Sequence, residues 1–317
     1  MSRTFSIVVP VHQNEENLHD TIPQLLGLRE RLPGYRLELV FVDDGSRDGS
    51  FDILREYAGR EGAAIRVVKL TRNFGQTPAI QAGLRYARGD CVGIISADLQ
   101  EPHEMFIDMV REWERGAQFV MGERHERAES AWHQRISGIY WNLIRRFAFR
   151  DFPRLGYDFC LLDRRVVDDI NRINEKNSSI FVLIYWLGYR PVRMPITRTV
   201  RNKGTSQWGW WRKTAFTADT LIGFTYLPAR AISLMGFFTG AACILLFLFH
   251  VVVWFLYRAA PPGWMTVAGL LALVGAMLLF SMGIISEYLL RILDEARKRP
   301  PYVVESVTQE QPGDATS

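Results

Sequence analysis

The sequence predicts an α/β domain built on a mostly parallel sheet, followed by two long apolar helices. Short apolar runs alternate with amphipathic stretches from residue 5 to residue 98. Such alternation is typical of right-handed crossovers between parallel strands, so it favours a doubly wound, Rossmann-like fold. Near the C-terminus, two uncharged runs are each long enough to cross a bilayer, which takes about 20 residues.

The predicted strands place several polar segments at one edge of the sheet. We expect strands in the runs FSIVVPV, RLELVFVDD, IRVVKLTR and CVGIISAD, with helices at 16–32, 49–59 and 77–87 between them. Parallel strands end at a common edge, where open α/β folds bind ligands. The segments expected in this crevice are residues 10–14, 43–46, 72–75 and 98–101.

The composition divides the chain into a water-soluble part and a membrane part. We predict a domain over residues 1–205, a juxtamembrane amphipathic segment over 206–231, spans over 232–256 and 265–289, and a tail over 290–317. The short loop makes the spans a hairpin, so both flanks lie on one side. Lys and Arg are concentrated in these flanks, with Arg258 alone in the loop, and such enrichment marks the cytoplasmic side.

The charge and the cysteines narrow the class of protein. The net charge is +4, but the basic residues cluster beside the spans, where each favours anionic lipid by on the order of 1 kcal/mol. No RNA-binding signature is present, so nucleic acid is not an expected partner. Cys91, Cys160 and Cys243 form no CxxC pair and suit a reducing compartment. The histidines show no zinc-binding spacing.

Two aromatic-rich stretches are candidates for the membrane interface. Residues 131–152 interleave aromatic residues with Arg, a pattern shared by interfacial helices and by amphipathic core helices, and it leaves both open. The stretch SQWGWWRKTAF is the better candidate. Trp208 lies close to Arg212 and Lys213 there, as in an aromatic belt.

The segment VFVDDGSRDGS places Asp43 and Asp44 directly after the second strand. One interpretation is a plain βα turn in which Ser46 or Asp48 caps the next helix. The other is a site that reads a base or a ribose through hydrogen bonds. The chain contains no G-x-x-x-x-G-K-[ST], and no G-x-G-x-x-G follows the first strand, so neither a P-loop nor an NAD site is indicated.

The segment SADLQEP ends the fourth apolar run with Asp98. It resembles a metal-binding Asp-x-Asp whose first acid is replaced by Ser96. Because Mg²⁺ retains water and takes oxygens from its substrate, Asp98 can suffice, with Gln100 or Glu101 contributing directly or through water. Glu101 could instead be the first-turn acid of a helix that starts at Pro102.

Basic residues follow later predicted strand ends. Arg124, Arg127, Arg201 and Lys203 could pair with phosphate groups, the arginines bidentately and the lysine as a point charge. Each could equally be a solvated surface cation, and for Arg127 the sequence favours that interpretation.

Taken in order, these motifs resemble the polyprenyl-phosphate glycosyltransferases of glycosyltransferase family 2. That group includes bactoprenol glucosyltransferases and relatives of dolichyl-phosphate mannose synthase. The likeness runs from Ser6 to about Val304. It rests on VPVHQNEENL, VDDGSRDGS, LTRNFGQTPAIQAGL, SADLQEP, GERHERAES, GYDFCLLDRRVV, RTVRNKGTSQW and the hairpin.

The resemblance implies a GT-A catalytic domain with juxtamembrane amphipathic helices and a two-helix transmembrane hairpin. It also implies inverting transfer of a hexose to undecaprenyl or another polyprenyl phosphate, with UDP-glucose or a UDP-N-acetylhexosamine as donor and Mg²⁺ or Mn²⁺ as cofactor. The expected place is the cytoplasmic face of a bacterial inner membrane. The expected role is cell-envelope glycan modification, such as that of O-antigen, and the bactoprenol relatives suggest a homotetramer.

The resemblance further implies roles for single residues. Asp98 would bind the metal ion, and Asp158 matches an acid proposed as the base beside the acceptor. The nucleotide sugar would be held by Pro10, Val11, His12, Asn14, Asp43, Asp44, Asn73, Gln100, Arg124, Arg201 and Ser206. The lipid phosphate or the membrane would be contacted by Arg127, Lys203, Trp208, Arg212 and Lys213.

The role of Asp158 has alternatives. A lipid phosphate monoester is already anionic near neutral pH, since its second pKa is about 6, and it needs no strong base. Asp158 would then position the acceptor or its counter-cation. A purely structural bond from Asp158 to Arg164 or Arg165 is also open.

The sequence departs from the family at three places. Ser96 replaces the first acid, Gln207 stands where many relatives have Lys, and His12 and Asn14 stand where relatives often have Tyr and Glu. Ser96 alone suggests a second hypothesis, a catalytically weak membrane-anchored protein that binds nucleotide sugar. A processive polysaccharide synthase is a third, but Gln207 is not followed by the Q-x-x-R-W pattern of that class.

Overall fold

The computed structural model describes residues 3–124, 151–173, 179–197, 227–257 and 263–308, and positions 142, 145, 146 and 149 between them. Most of the 131–152 stretch and residues 206–226 of the predicted juxtamembrane segment lie outside the described residues. Two compact units are present, one formed by residues 1–220 with 300–317 and the other by residues 221–299.

The first third of the chain alternates strands and helices as predicted. Its elements are β1 (Arg3–Val11), α1 (Glu15–Leu26), α2 (Leu28–Arg31), β2 (Tyr35–Asp43), α3 (Ser50–Glu61), a 3₁₀ turn (Gly62–Ala64), β3 (Ile65–Leu70), α4 (Gln76–Tyr86) and β4 (Cys91–Ile94). The single helix predicted at 16–32 is divided at Gly27, and β4 ends before Ser96.

The remaining described elements complete the sheet and add two long helices. They are α5 (Met105–Glu114), β5 (Phe119–Arg124), β6 (Cys160–Asp163), α6 (Arg164–Ile170), α7 (Ile180–Trp186), β7 (Val192–Ile196), α8 (Leu227–Tyr257), α9 (Trp264–Ala296) and β8 (Val304–Val307).

The described strands form one mixed sheet in the order β7-β5-β6-β4-β1-β2-β3-β8. Strands β4, β1, β2 and β3 are parallel, which confirms the predicted doubly wound half. Strand β6 runs antiparallel to both β4 and β5. The start of β6 and the end of β5 therefore lie at the same edge as the end of β4.

Aromatic packing fixes α5 against the sheet. The Phe106 ring centroid lies 5.4 Å from that of Phe5 and 4.7 Å from that of Phe159. A Cβ at Gly93 would lie 2.7 Å from Phe106 Cζ and closer still to Cε1, so this position in β4 has no room for a side chain. The Phe159 contact also seats the chain just before β6, where Asp158 is found.

A buried polar cluster ties strands together away from this edge. Glu38 Oε2 accepts hydrogen bonds from Ser6 Oγ at 2.5 Å and from Arg88 N at 2.8 Å. Glu38 Oε1 lies 3.6 Å from Arg66 Nε. Buried charges need such partners, so Glu38 joins β1, β2 and β3 as a structural residue.

Helices α8 and α9 contain runs long and apolar enough to cross a membrane, judged by length and composition. These runs are Ile232–Leu256 and Gly269–Ala296, with mean hydropathies of 2.3 and 2.2. The first has the predicted bounds, whereas the second extends beyond the predicted end at 289. Thr239 Oγ1 on α8 lies 2.7 Å from Met277 Sδ on α9, so the two helices contact each other.

The chain returns to the sheet after α9, within the segment predicted as the tail at 290–317. Strand β8 pairs antiparallel with β3 and covers its edge. Thr71 N donates to Val303 O at 3.0 Å, Thr308 N donates to Val67 O at 2.9 Å, and Lys69 Nζ lies 2.9 Å from Glu305 Oε1. Four residues are too short a pattern to predict when the partner strand lies far away in the sequence.

Candidate active site

The predicted site segments meet at the carboxyl edge of the sheet. Val11, the last residue of β1, pairs with Asp43, the last residue of β2, and Asp43 pairs with Lys69 near the end of β3. The turn after β4 lies beside β1, since Ile95 N donates to Val8 O at 3.2 Å. The shared edge expected from the sequence is thus present.

Asp44 joins the loops that follow three strands. Its backbone N donates to Val11 O at 2.8 Å, and its carboxylate accepts from Phe74 N at 2.7 Å and from Gly75 N at 2.8 Å. Burial raises the pKa of Asp44, and these two amide donors oppose the rise. Asp44 therefore holds together the loops after β1, β2 and β3, and it has a structural role in the site.

Gly45 allows these loops to approach closely. Its φ of +62° lies in the left-handed region, and a Cβ there would lie 2.6 Å from Asn73 N. Any other residue would be strained in conformation and would clash with backbone. The glycine of the VDDGS motif is explained by this contact.

His12 and Asn73 form a pair above Asp44. His12 Nδ1 lies 2.9 Å from Asp44 O, and His12 Nε2 lies 2.8 Å from Asn73 Nδ2. A carbonyl can only accept, so Nδ1 carries the ring proton, and Nε2 then accepts from the Asn73 amide. The geometry assigns this tautomer, and it leaves Asn73 Oδ1 as an acceptor not used by His12.

The turn at residues 12–15 is held by its own Asn14 and by side chains that follow β2. His12 N donates to Asn14 Oδ1 at 3.0 Å, and Asn14 N donates to Ser50 Oγ at 3.0 Å. Gly49 is the N-cap of α3 and makes no side-chain capping bond, so neither Ser46 nor Asp48 occupies the cap that the turn interpretation expected. Asp48 Oδ1 does accept from the first helical amide, Ser50 N, at 3.2 Å.

Asp43 is a buried carboxylate at the end of β2. Asp43 is 0 % exposed, and neither of its carboxylate oxygens has a hydrogen-bond partner among the described residues. Burial raises the pKa of Asp43, and this effect outweighs the opposing influence of the nearby Ser46 and Lys69. A buried polar group without a donor is costly, and such groups concentrate at functional sites.

Ser96 lies between two acids in the turn after β4. Its Oγ is 2.7 Å from Asp98 Oδ1 and 2.6 Å from Glu101 Oε2. The turn is anchored by Thr21 Oγ1, which donates to Ala97 O at 2.7 Å. Helix α5 starts at Met105, so the interpretation of Glu101 as the first-turn acid of a helix starting at Pro102 is wrong.

Arg124 lies between Asp158 and Glu101. The Arg124 guanidinium pairs with Asp158 Oδ2, and its Nη2 is 3.7 Å from Glu101 Oε1. The guanidinium of Arg164 instead donates to backbone oxygens of Ala87 and Gly89. The described contacts of Asp158 thus support a place beside Arg124 at the sheet edge.

The donor set suits a hard cation. Asp98, Glu101 and Ser96 offer oxygen ligands, which Mg²⁺ and Mn²⁺ prefer. In the part of the chain that the structure describes, no three His, Cys, Asp or Glu residues cluster as a metal site. A cation here would take most of its ligands from water and from substrate.

Several predicted site residues lie outside the described residues. Gln100 is described and largely buried, and its contact with a sugar stays a prediction. The same holds for the phosphate and membrane roles of Arg127, Arg201, Lys203, Ser206, Trp208, Arg212 and Lys213.

An α/β sheet with acids and an arginine at its carboxyl edge, followed by apolar helices, is the architecture expected of a GT-A glycosyltransferase. The family model described as "Glycosyl transferase family 2" matches residues 6–170. The chain belongs to this family.

Relatives match along nearly the whole chain. YkcC of Bacillus subtilis, an uncharacterized glycosyltransferase, is 31 % identical over 95 % of this chain and 93 % of its own. An undecaprenyl-phosphate 4-deoxy-4-formamido-L-arabinose transferase of Edwardsiella ictaluri is 29 % identical over 96 % and 94 %. A bactoprenol glucosyl transferase of Shigella phage SfV is 27 % identical over 96 % and 99 %. The solved mannosyltransferase PcManGT of Pyrobaculum calidifontis superposes with a TM-score of 0.46 at 15 % identity, over 89 % of this chain and 88 % of that one.

Proposed function

We propose that this protein transfers a hexose from a nucleotide sugar to undecaprenyl or another polyprenyl phosphate, with inversion at the anomeric carbon. The carrying observation is the joined set of Asp98, Glu101, Arg124 and Asp158 at the carboxyl edge. It is supported by whole-length similarity to relatives named for undecaprenyl phosphate and bactoprenol. UDP-glucose and UDP-N-acetylhexosamine are the proposed donors.

The nucleotide end of the donor is proposed to lie over β1–β3. Asp43 and Asn73 Oδ1, which His12 does not use, are proposed to accept N–H groups of a base, while His12 and Asp44 hold the loops in place. A ligand donor would relieve the unpaired Asp43 carboxylate, which gives base binding a favourable term that water-exposed residues cannot supply.

The diphosphate is proposed to lie beside Asp98 and Arg124. Asp98 would hold Mg²⁺ or Mn²⁺, which neutralises charge on the departing nucleoside diphosphate. Arg124 is already oriented by Asp158 and Glu101, so it can donate to phosphate oxygens without reorganising. These groups act on charge that grows as the bond to the leaving group breaks.

The acceptor is proposed to enter from the Asp158 side. A phosphate oxygen of the lipid attacks the anomeric carbon, the bond from that carbon to the nucleoside diphosphate breaks, and a single displacement inverts the configuration. Because the attacking oxygen is already anionic, Asp158 positions it and does not need to remove a proton.

The membrane arrangement is proposed to be a hairpin with both flanks cytoplasmic. Residues 1–220 and 300–317 belong to the same compact unit, and β8 in the second range pairs with β3 in the first. Two crossings return the chain to the side it left. The basic flanks favour the cytoplasmic side of a bacterial inner membrane, and the lipid phosphate is available there.

The function is tested by incubating the purified full-length protein with labelled nucleotide sugar, Mg²⁺ or Mn²⁺, and undecaprenyl phosphate. We expect chloroform-extractable label with one donor of a panel covering UDP-glucose, UDP-galactose, UDP-N-acetylhexosamines and GDP-mannose. Asp98→Ala should abolish it, and Asp108→Ala on the exposed face of α5 should not. No lipid-linked sugar with any donor would refute the transferase and favour a nucleotide-sugar-binding protein.

A further inference from the structure

The hydroxyl of Ser96 separates two carboxylates that would otherwise repel each other. It lies 2.7 Å from Asp98 Oδ1 and 2.6 Å from Glu101 Oε2. A serine hydroxyl has one hydrogen, so it donates to one of these oxygens at a time. The position that lacks an acid is therefore a link between two acids.

Glu101 is withdrawn from solvent at the centre of the site. Its side chain is 0 % exposed, and its other oxygen lies 3.7 Å from Arg124 Nη2, while Arg124 pairs with Asp158. A buried carboxylate is tolerated only where neighbouring groups compensate its charge. Glu101 thus connects the Asp98 side of the edge with the Asp158 side.

We propose that Glu101 is a positioning residue for this reaction. Through Ser96 it sets the Asp98 carboxylate towards the cation, and directly it holds Arg124 against Asp158. Ser96 and Glu101 together replace the missing first acid of the Asp-x-Asp pattern. This inference rests on the proposed function, because it gives Asp98 the cation.

The arrangement also accounts for serine at position 96. A cation on Asp98 would neutralise that carboxylate, so the single hydroxyl hydrogen of Ser96 would be enough for the two acids. An aspartate at 96 would place a third carboxylate against Glu101, which is buried and cannot turn to water. Restoring the usual acid should therefore not strengthen cation binding while Glu101 is present.

The test is the affinity of the full-length protein in detergent for Mn²⁺ alone, measured by electron paramagnetic resonance without nucleotide or lipid. We expect Glu101→Gln and Ser96→Ala each to weaken Mn²⁺ binding about tenfold, the scale for groups that orient a metal ligand. Ser96→Asp should bind no more tightly than wild type. The double variant Ser96→Asp/Glu101→Gln should bind about tenfold more tightly than Ser96→Asp.

The matched control is Glu104→Gln, which removes an acid from the same segment. The Glu104 side chain is half exposed and lies 3.5 Å from His103 Nδ1, so its loss should leave Mn²⁺ affinity unchanged. Thermal unfolding identifies any variant that does not fold. If Glu101→Gln is one of these, Ser96→Ala and Ser96→Asp still decide.

Two results would overturn the inference. One is wild-type Mn²⁺ affinity in either Ser96→Ala or folded Glu101→Gln, and the other is a Ser96→Asp variant that binds Mn²⁺ more tightly than wild type. Failure of sugar transfer would be a separate result, since the Mn²⁺ measurement uses no substrate. If sugar transfer is observed and either of these two Mn²⁺ results is obtained, the positioning role of Glu101 is refuted and the proposed transferase function stands.

Discussion

At the scale of single residues, two buried carboxylates at the sheet edge have opposite surroundings. Glu101 is compensated by Ser96 and Arg124, whereas Asp43 has no hydrogen-bond partner among the described residues. A compensated charge contributes to structure, and an uncompensated one costs stability until a ligand supplies a donor. The two acids should respond differently to neutral replacement.

Asp43→Asn is expected to stabilise the protein at pH 7 by about 1 kcal/mol, because it removes a buried unpaired charge. Burial raises the pKa of Asp43 in the folded state above its unfolded value of about 3.9. The stability that the protonated carboxyl contributes is therefore fully present below about pH 3.9 and is lost as the pH rises through the folded-state pKa. The gain from Asn should therefore shrink as pH falls towards about 4. Thermal unfolding between these pH values measures it.

Asp52→Asn, which removes an exposed acid paired with Arg55 in the first turn of α3, is the control and should lower stability slightly at pH 7, the opposite sign to Asp43→Asn. Nucleotide affinity should fall in Asp43→Asn if the carboxylate receives a base. A loss of stability at pH 7 would mean that Asp43 has a donor in the native state.

Asp158→Asn is expected to leave nucleotide affinity unchanged and to slow transfer at least about tenfold, the effect of losing orientation at the reacting centre. Asn keeps the shape but removes the charge that pairs with Arg124. Transfer rates across pH separate the two roles. If Asp158 is a positioning residue, its replacement leaves the pH profile of transfer in place, and if it is a base, its replacement removes the acidic limb of that profile.

The control for this prediction is Asp168→Asn, exposed on α6, which should match wild type. An unchanged transfer rate in Asp158→Asn would show that Asp158 takes no part in the reaction.

At the scale of elements, the site is made by loops that lock onto one another after β1, β2 and β3. Asp44 bonds to the amides of Phe74 and Gly75, and Gly45 lies against Asn73. The strands bring these loops together, and the contacts between loops fix the positions of His12 and Asn73. The element that determines nucleotide binding is thus the loop set, which no one loop can form by itself.

Gly45→Ala is expected to cost about 1–3 kcal/mol of stability, because it adds a clash to a left-handed conformation. Nucleotide affinity should fall as well, since the loop after β3 is displaced. Gly59→Ala is the matched control, because no atom lies within 4 Å of a Cβ there and alanine favours the helix. Thermal unfolding and UDP titration of both variants check the expectation, which fails if Gly45→Ala behaves like Gly59→Ala.

At the scale of the whole molecule, the chain leaves the sheet unit for two long apolar helices and then returns to it. Strand β8 follows α9 and pairs with β3, whose end leads into the loop held by Asp44. The proposed hairpin, with its two crossings, is compatible with this return.

Cysteines placed in the loop and in the flank should therefore label from opposite sides. Ala259→Cys, between α8 and α9, is expected to react with a membrane-impermeant thiol reagent that is added to spheroplasts, whose inner membrane is intact. Arg299→Cys should react only in inverted vesicles. Cys91 and Cys160 are buried, whereas Cys243 is partly exposed, so the new cysteines are introduced into a Cys243→Ser background that is itself the unlabelled control. Reaction of both new cysteines from one side would refute the hairpin.

The sequence by itself determined the parallel half of the sheet, the shared edge of its site segments and the two apolar helices. These depend on local periodicity and on the uncharged length of each run, which are properties of neighbouring residues. His12, Asp43, Asp98 and Arg124 could be singled out for the same reason, because each ends or follows an apolar run that predicts a strand.

Only the tertiary structure decided what those side chains contact. The Ser96 bridge from Asp98 to Glu101, the Arg124 pair with Asp158, and the pairing of β8 with β3 join residues through space. Hydrogen bonds and ion pairs form where atoms come within about 3 to 4 Å of one another, and separation along the chain does not limit them. For this reason the sequence could show that Ser96 interrupts a metal motif, and the folded chain showed which acid stands beside it.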